Sequence, residues 1–142
     1  LLAVHCEMED YRLAYYLNKY LETRLARTKE DLDFITSLAS FSVFKWSNKQ
    51  LQTDWHLIKN SCLVEKMAVS QGLFSEINDK SWVIHSLLPE HHSVDYILKI
   101  NNGGGFINEK QILDKIQKIP KVSTAYSVDI SQLKSKDHLI FN

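Results

Sequence analysis

The most constraining stretch of the chain runs from Leu87 to Ile100. Two leucines and Pro89 are followed by four polar residues and then a second apolar run. Pro89 lacks a backbone N–H and cannot join a sheet ladder, so it marks a strand end or a corner. Beyond it, Val94, Tyr96, Leu98 and Ile100 share one face of an extended segment, and Asp95, Ile97 and Lys99 share the other. Side chains alternate with a period of two along a strand, so the first face is predicted to point into the core. The apolar run from Trp82 to Leu88 is predicted to be the preceding strand. Glu90, His91, His92 and Ser93 then occupy an exposed corner between the two.

The remaining elements follow from periodicity and punctuation. Leu1–Cys6 reads as a strand. Leu13, Tyr16, Leu17, Tyr20 and Leu21 recur at three and four residues, which predicts a helix over about 10–22 with Asp10 as its N-cap. Residues 23–28 predict a strand, placed at an edge by Arg24, Arg27 and Lys29. Residues 30–39 fit either a helical turn on Leu32, Ile35 and Leu38 or an ordered loop. Phe41–Trp46 and Asp54–Asn60 predict a hairpin around the turn cluster Ser47–Gln50. Another short strand is expected over Cys62–Val69, and loops at Gln71-Gly72 and Glu76–Lys80. After the glycines at 103–105, Asn108 is predicted to cap a second helix, with Gln111 placed as in a capping box. Its stripe is Ile112, Leu113, Ile116 and Ile119, and Pro120 ends it. Val122–Ile130 predicts a strand with Val122, Thr124, Tyr126, Val128 and Ile130 on one face, and His138–Phe141 a last extended piece.

Strand–helix–strand order thus occurs twice, over 1–28 and 94–130, and implies parallel strands joined by crossovers. Between the two lies a run of antiparallel strands. The expected class is α+β: a mostly antiparallel sheet with two helices on one face, of ferredoxin-like form with an inserted hairpin. A chain of 142 residues fits a single domain spanning 1–142 and is long enough to bury a core.

The motif Leu88-Pro89-Glu90-x-x-x-Val94-Asp95-Tyr96 resembles the signature of the IPExxxVDY family, small uncharacterised bacterial proteins. Leucine stands where that signature has isoleucine. Asp10–Leu13, Thr124–Asp129 and Leu133–Lys136 are similar to the family's flanks, so the resemblance spans nearly the whole chain. It implies no activity, because the family carries no assigned function, and no catalytic residue transfers.

Composition narrows the function classes. Seventeen basic and seventeen acidic side chains give a formal net charge of zero, which argues against nucleic acid and anionic membranes as partners. No apolar run approaches the ~18 residues of a membrane span. Leu1–Val4 has neither the basic flank nor the length of a signal peptide. Cys6 and Cys62 sit beside apolar residues and fit reduced thiols in a cytoplasmic protein.

Each candidate chemistry has a plainer alternative. The triple glycine lacks the Lys-Ser/Thr of a P-loop and the spacing of a dinucleotide fingerprint, so a flexible connection is favoured over phosphate binding. Glu90-His91-His92 and His5-Cys6-Glu7 hold metal-ligating types, but adjacent residues rarely converge on one ion. His85 is a further imidazole that the fold could bring to the corner. Glu90 and Asp95 form an acid–base pair only if their surroundings separate their proton affinities. Otherwise Glu90 accepts N–H groups at the corner, and Asp95 faces solvent or a basic neighbour. Tyr96 fits a core residue with a satisfied hydroxyl. No Gly-x-Ser-x-Gly elbow, nucleophilic cysteine motif or cofactor motif occurs. The expected function is therefore non-enzymatic: self-association as a homodimer, or binding of a protein partner. The alternative is a small-ligand sensor with a pocket near the corner, using Glu90, His92, Asp95 and Tyr96. A hydrolase or metal enzyme using Glu90, His91, His92 and Asp95 ranks last.

Overall fold

The computed structural model describes residues 1–67 and 80–141. Among the described residues, ten strands and two α-helices follow one another as β1 (Leu2–Cys6), α1 (Asp10–Leu21), β2 (Ala26–Arg27), β3 (Leu32–Phe34), β4 (Ala39–Phe41), β5 (Val43–Asn48), β6 (Thr53–Lys59), β7 (Ser61–Met67), β8 (Lys80–Ser86), β9 (Tyr96–Asn102), α2 (Glu109–Gln117) and β10 (Val122–Ser127). The fold is α+β. Six strands form one sheet in the order β10-β1-β9-β6-β5-β2, and every neighbouring pair is antiparallel.

The two strand–helix–strand units do not make parallel neighbours. β9 and β10 run the same way, but β1 lies between them and opposes both. With β6 as its second strand, the set β1–α1–β6–β9–α2–β10 is a βαββαβ unit, and β5 and β2 extend its edge.

Alternation divides the sheet into two buried faces. Leu2, Val4, Trp55, Leu57, Tyr96 and Leu98 pack against the two helices. Ala3, Ile58 and Ile97 point the other way. That second face is covered by the chain itself: the separate hairpins β3–β4 and β7–β8, and the segment from Val128 to Phe141. Among the described residues the middle of the second face is therefore covered, while Thr124 and Tyr126 stay exposed at its β10 edge.

α1 buries Leu13 and Leu17 of the expected stripe together with Ala14, with Tyr16, Tyr20 and Leu21 packed at its margin. Its cap position is Glu9 rather than Asp10, and Asp10 instead accepts the Tyr11 amide at 2.7 Å. The helix ends at Glu22, in left-handed conformation with φ 56°. Asn18 then holds the exit by accepting the Leu25 amide and the Thr23 hydroxyl, each at 2.7 Å. α2 begins as expected, with the Asn108 side chain accepting the Gln111 amide at 3.1 Å.

Four other expectations are corrected. Residues 30–39 contain hairpin strands, with Leu38 at φ 56° in the turn, and Ile35 and Leu38 are exposed. Val94 lies before β9 rather than in it and joins the core of the second face. On β10 the buried residue is Ala125, which pairs with Val4 on the helix face, and a bulge at Ser123, opposite the His5–Cys6 step, turns Val122 to that face and away from Thr124 and Tyr126. Lys136–Leu139 forms a 3₁₀ turn, not an extended piece. The loop expected at 71–72, most of that at 76–80, and the end of the strand expected through Val69 lie outside the described residues.

Candidate functional site

The Leu88–Tyr96 corner is built around one residue, Asn60, which is fully buried and uses every hydrogen-bonding group it has. Its backbone N–H donates to Asp95 O at 2.9 Å, and its carbonyl accepts from the Leu87 amide at 2.7 Å. Its side-chain Nδ2 donates to His91 O and Val94 O, both at 2.8 Å, and its Oδ1 accepts the Leu88 amide at 3.0 Å. The side chain thus stands in for a strand partner where Pro89 and the 3₁₀ turn Pro89–His91 interrupt the ladder.

The motif residues spread outward from this hub and do not converge. Glu90 leaves the corner and accepts both the amide and the hydroxyl of Ser135, at 2.9 and 2.6 Å, pinning the C-terminal segment. Burial acts to raise its pKa, but hydrogen bonds from Ser135 and neighbouring amides outweigh that and hold it at about 2. Asp95 Oδ2 accepts the Cys6 amide at 2.9 Å, where the β1–β9 ladder has ended at Val4 and Tyr96. The Tyr96 ring is buried on the helix face, and its hydroxyl donates to Met8 O. Burial, with nearby acidic groups, pushes that phenol well above its ordinary pKa. His92 is exposed on the outer turn. None of Glu90, His92, Asp95 and Tyr96 lines the cavities described below.

This arrangement is poorly suited to proton transfer. A carboxylate held near 2 is too weak a base, and a phenol raised this far is too weak an acid. The Cys6 thiol is buried, and burial raises its pKa, so it stays protonated. Among the described residues no three His, Cys, Asp or Glu side chains stand close enough to hold a metal ion. His85 borders a cavity of about 240 Å³ with Pro89 and His138, which neither Glu90 nor His92 lines.

Three features were not legible as sites in the sequence. His56 is 2% exposed, and neither ring nitrogen has a hydrogen-bond partner. It stands between Lys45 and Lys99 on the flanking strands, beneath the Phe141 ring at 5.0 Å. Burial, then the two lysines, lowers its pKa to about 4.

The second feature is the β7–β8 ribbon. Its inner face buries Val64, while its outer face presents Leu63, Trp82 and Ile84, which are 64%, 60% and 69% exposed. Leu63 and Ile84 are direct cross-strand partners, and Trp82 lies one pair along, opposite Glu65.

The third is a cleft below the glycine loop. Leu21, Leu51, Trp55, Phe106, Ile107 and Ile112 supply its apolar walls. Gly103 is needed there, because a Cβ would sit 2.8 Å from Gln52 O. The Gly104 and Gly105 amides are both taken by Asn102 Oδ1, at 3.3 and 2.9 Å. They are therefore not free to cradle a phosphate.

No family model matches the chain, and no curated protein or solved structure is significantly similar to it. No helix among the described residues is long and apolar enough to cross a membrane.

Proposed function

We propose that this chain is a non-enzymatic cytoplasmic module that self-associates through the outer face of the β7–β8 ribbon. The observation that carries the reading is the cluster Leu63, Trp82 and Ile84, exposed side by side on a ribbon whose other face is already packed. A two-stranded ribbon is marginal by itself, and an apolar outer face marks an interaction surface. The occupant is a second copy. A two-fold axis sets the same patch against itself, and a chain of zero net charge does not repel its copy.

Burying a side chain of this size contributes on the order of 1.5–3 kcal/mol, and a two-fold buries each one twice. Association costs on the order of 4–15 kcal/mol, so the expected dimer is weak, in the high-micromolar to millimolar range. Membership of the IPExxxVDY family belongs to the same proposal and rests on the Leu88–Tyr96 motif and the similar segments Asp10–Leu13, Thr124–Asp129 and Leu133–Lys136.

Sedimentation velocity over roughly 10–500 µM protein tests the reading. The wild type should shift toward dimer with rising concentration, and Trp82→Ser combined with Ile84→Ser should stay monomeric. A wild type that remains monomer across the range overturns it.

A further inference from the structure

We propose that the cleft beside Phe106 is a binding site for a small apolar molecule carrying one carboxylate. Two cavities, of about 280 and 320 Å³, lie on either side of the 105–107 segment and share Asn102, Gly105, Phe106, Ile107 and Ile112. Each is near the lower size limit of small-molecule pockets, and their shared walls make them two arms of one groove. Trp55, only 8% exposed, lines the first arm. Phe106, 92% exposed, stands at the rim of both. The Asn102 bonds to Gly104 and Gly105 hold the loop that carries it.

The polar groups of the first arm are mainly donors. Thr53 Oγ1 accepts the Trp55 indole N–H at 3.2 Å, which leaves the Thr53 hydroxyl proton to give. Asn108 spends its carbonyl oxygen on the helix cap, which leaves its amide NH₂. Lys115 is half-buried and has no ion-pair partner among the described residues, whereas Lys110 on the same helix and Lys118 at its C-cap are exposed. A half-buried cation without a counterion, beside an apolar wall, is complementary to one anionic group.

Two points select the ligand. One lysine balances a single carboxylate but leaves a phosphate monoester, at −1.5 to −2, about half-neutralised. Glu109 lines the second arm, so the head group belongs at the Lys115 end and the apolar body runs toward Ile100 and Leu2.

Isothermal titration calorimetry with decanoate, and with decanol as its uncharged counterpart, tests the site. Decanoate should bind the wild type about tenfold more tightly than decanol, the range of one charge-assisted hydrogen bond. Lys115→Met keeps the apolar stem and should remove that advantage while leaving decanol binding unchanged. Leu51→Glu, on the exposed β5–β6 turn at the rim, should weaken decanoate through like-charge repulsion. Trp82→Ser should change neither ligand. Absence of decanoate binding, equal affinity for the two probes, no change in Lys115→Met, or loss of binding in Trp82→Ser would each overturn the proposal. The last outcome would place the ligand on the ribbon.

Discussion

Replacing His56 with leucine should stabilise the protein and remove part of its acid sensitivity. The imidazole is 2% exposed, neither nitrogen has a partner, and Lys45 and Lys99 flank it. A buried polar group without a hydrogen bond costs about 1–3 kcal/mol. Leucine removes that cost but gives up the edge-on contact with Phe141, worth about 0.5–1.5 kcal/mol. The net gain at pH 7 is therefore about 1 kcal/mol.

The pH dependence is the sharper observable. The folded-state pKa is about 4 against 6.5 for the free side chain, so the unfolded chain takes up the proton first as pH falls. The stability that depends on neutral His56 is present above 6.5 and is lost as pH falls through 4. Between pH 7 and 4.5 this linkage removes about 2 kcal/mol from the wild type and nothing from His56→Leu. Asp54, beside the lysines, opposes the shift but is the weakest of the four causes.

Urea unfolding of both proteins at the two pH values isolates the effect, because every other titrating group is common to both. The stability gap between variant and wild type should widen by about 2 kcal/mol on acidification. An equal gap at both pH values would refute the reasoning, and so would a variant less stable than wild type at pH 7.

Asn60→Ala leaves the His91 and Val94 carbonyls and the Leu88 amide without partners at a buried corner. At about 1–3 kcal/mol for each orphaned group, the variant should lose most of a domain's 5–15 kcal/mol, seen as a collapse of the urea midpoint. A midpoint within error of wild type would show that water or a shifted backbone satisfies these groups. Glu90→Ala should free the Ser135 amide and speed its hydrogen exchange, while global stability changes by less than about 1 kcal/mol because the carboxylate is exposed. Unchanged exchange at Ser135 would show that the 3₁₀ turn that follows holds the segment unaided.

The elements whose cause is local were legible in the amino-acid order. The stripe Leu13–Leu21 and the stripe Ile112–Ile119 specify helices because a period of 3.6 is written into the chain. The Asn108 cap and the hairpin around Ser47–Gln50 rest on residues a few positions apart. The same logic failed where long-range pairing decides. Residues 32 to 38 have helical spacing, but pairing with Ala39–Phe41 over the second face turns them into a hairpin. The alternation of β10 is broken by its own bulge at Ser123, which shows only in the pairing with β1, more than a hundred residues away.

The motif shows the same division. Its pattern predicted a corner, and the corner is there. Only the tertiary structure showed that Asn60 satisfies it, that Glu90 reaches Ser135, and that Asp95 reaches Cys6. The ribbon face, the Phe106 cleft and the unpartnered His56 were equally hidden. Each depends on what lies against a side chain in space, and one chain's local pattern does not encode that.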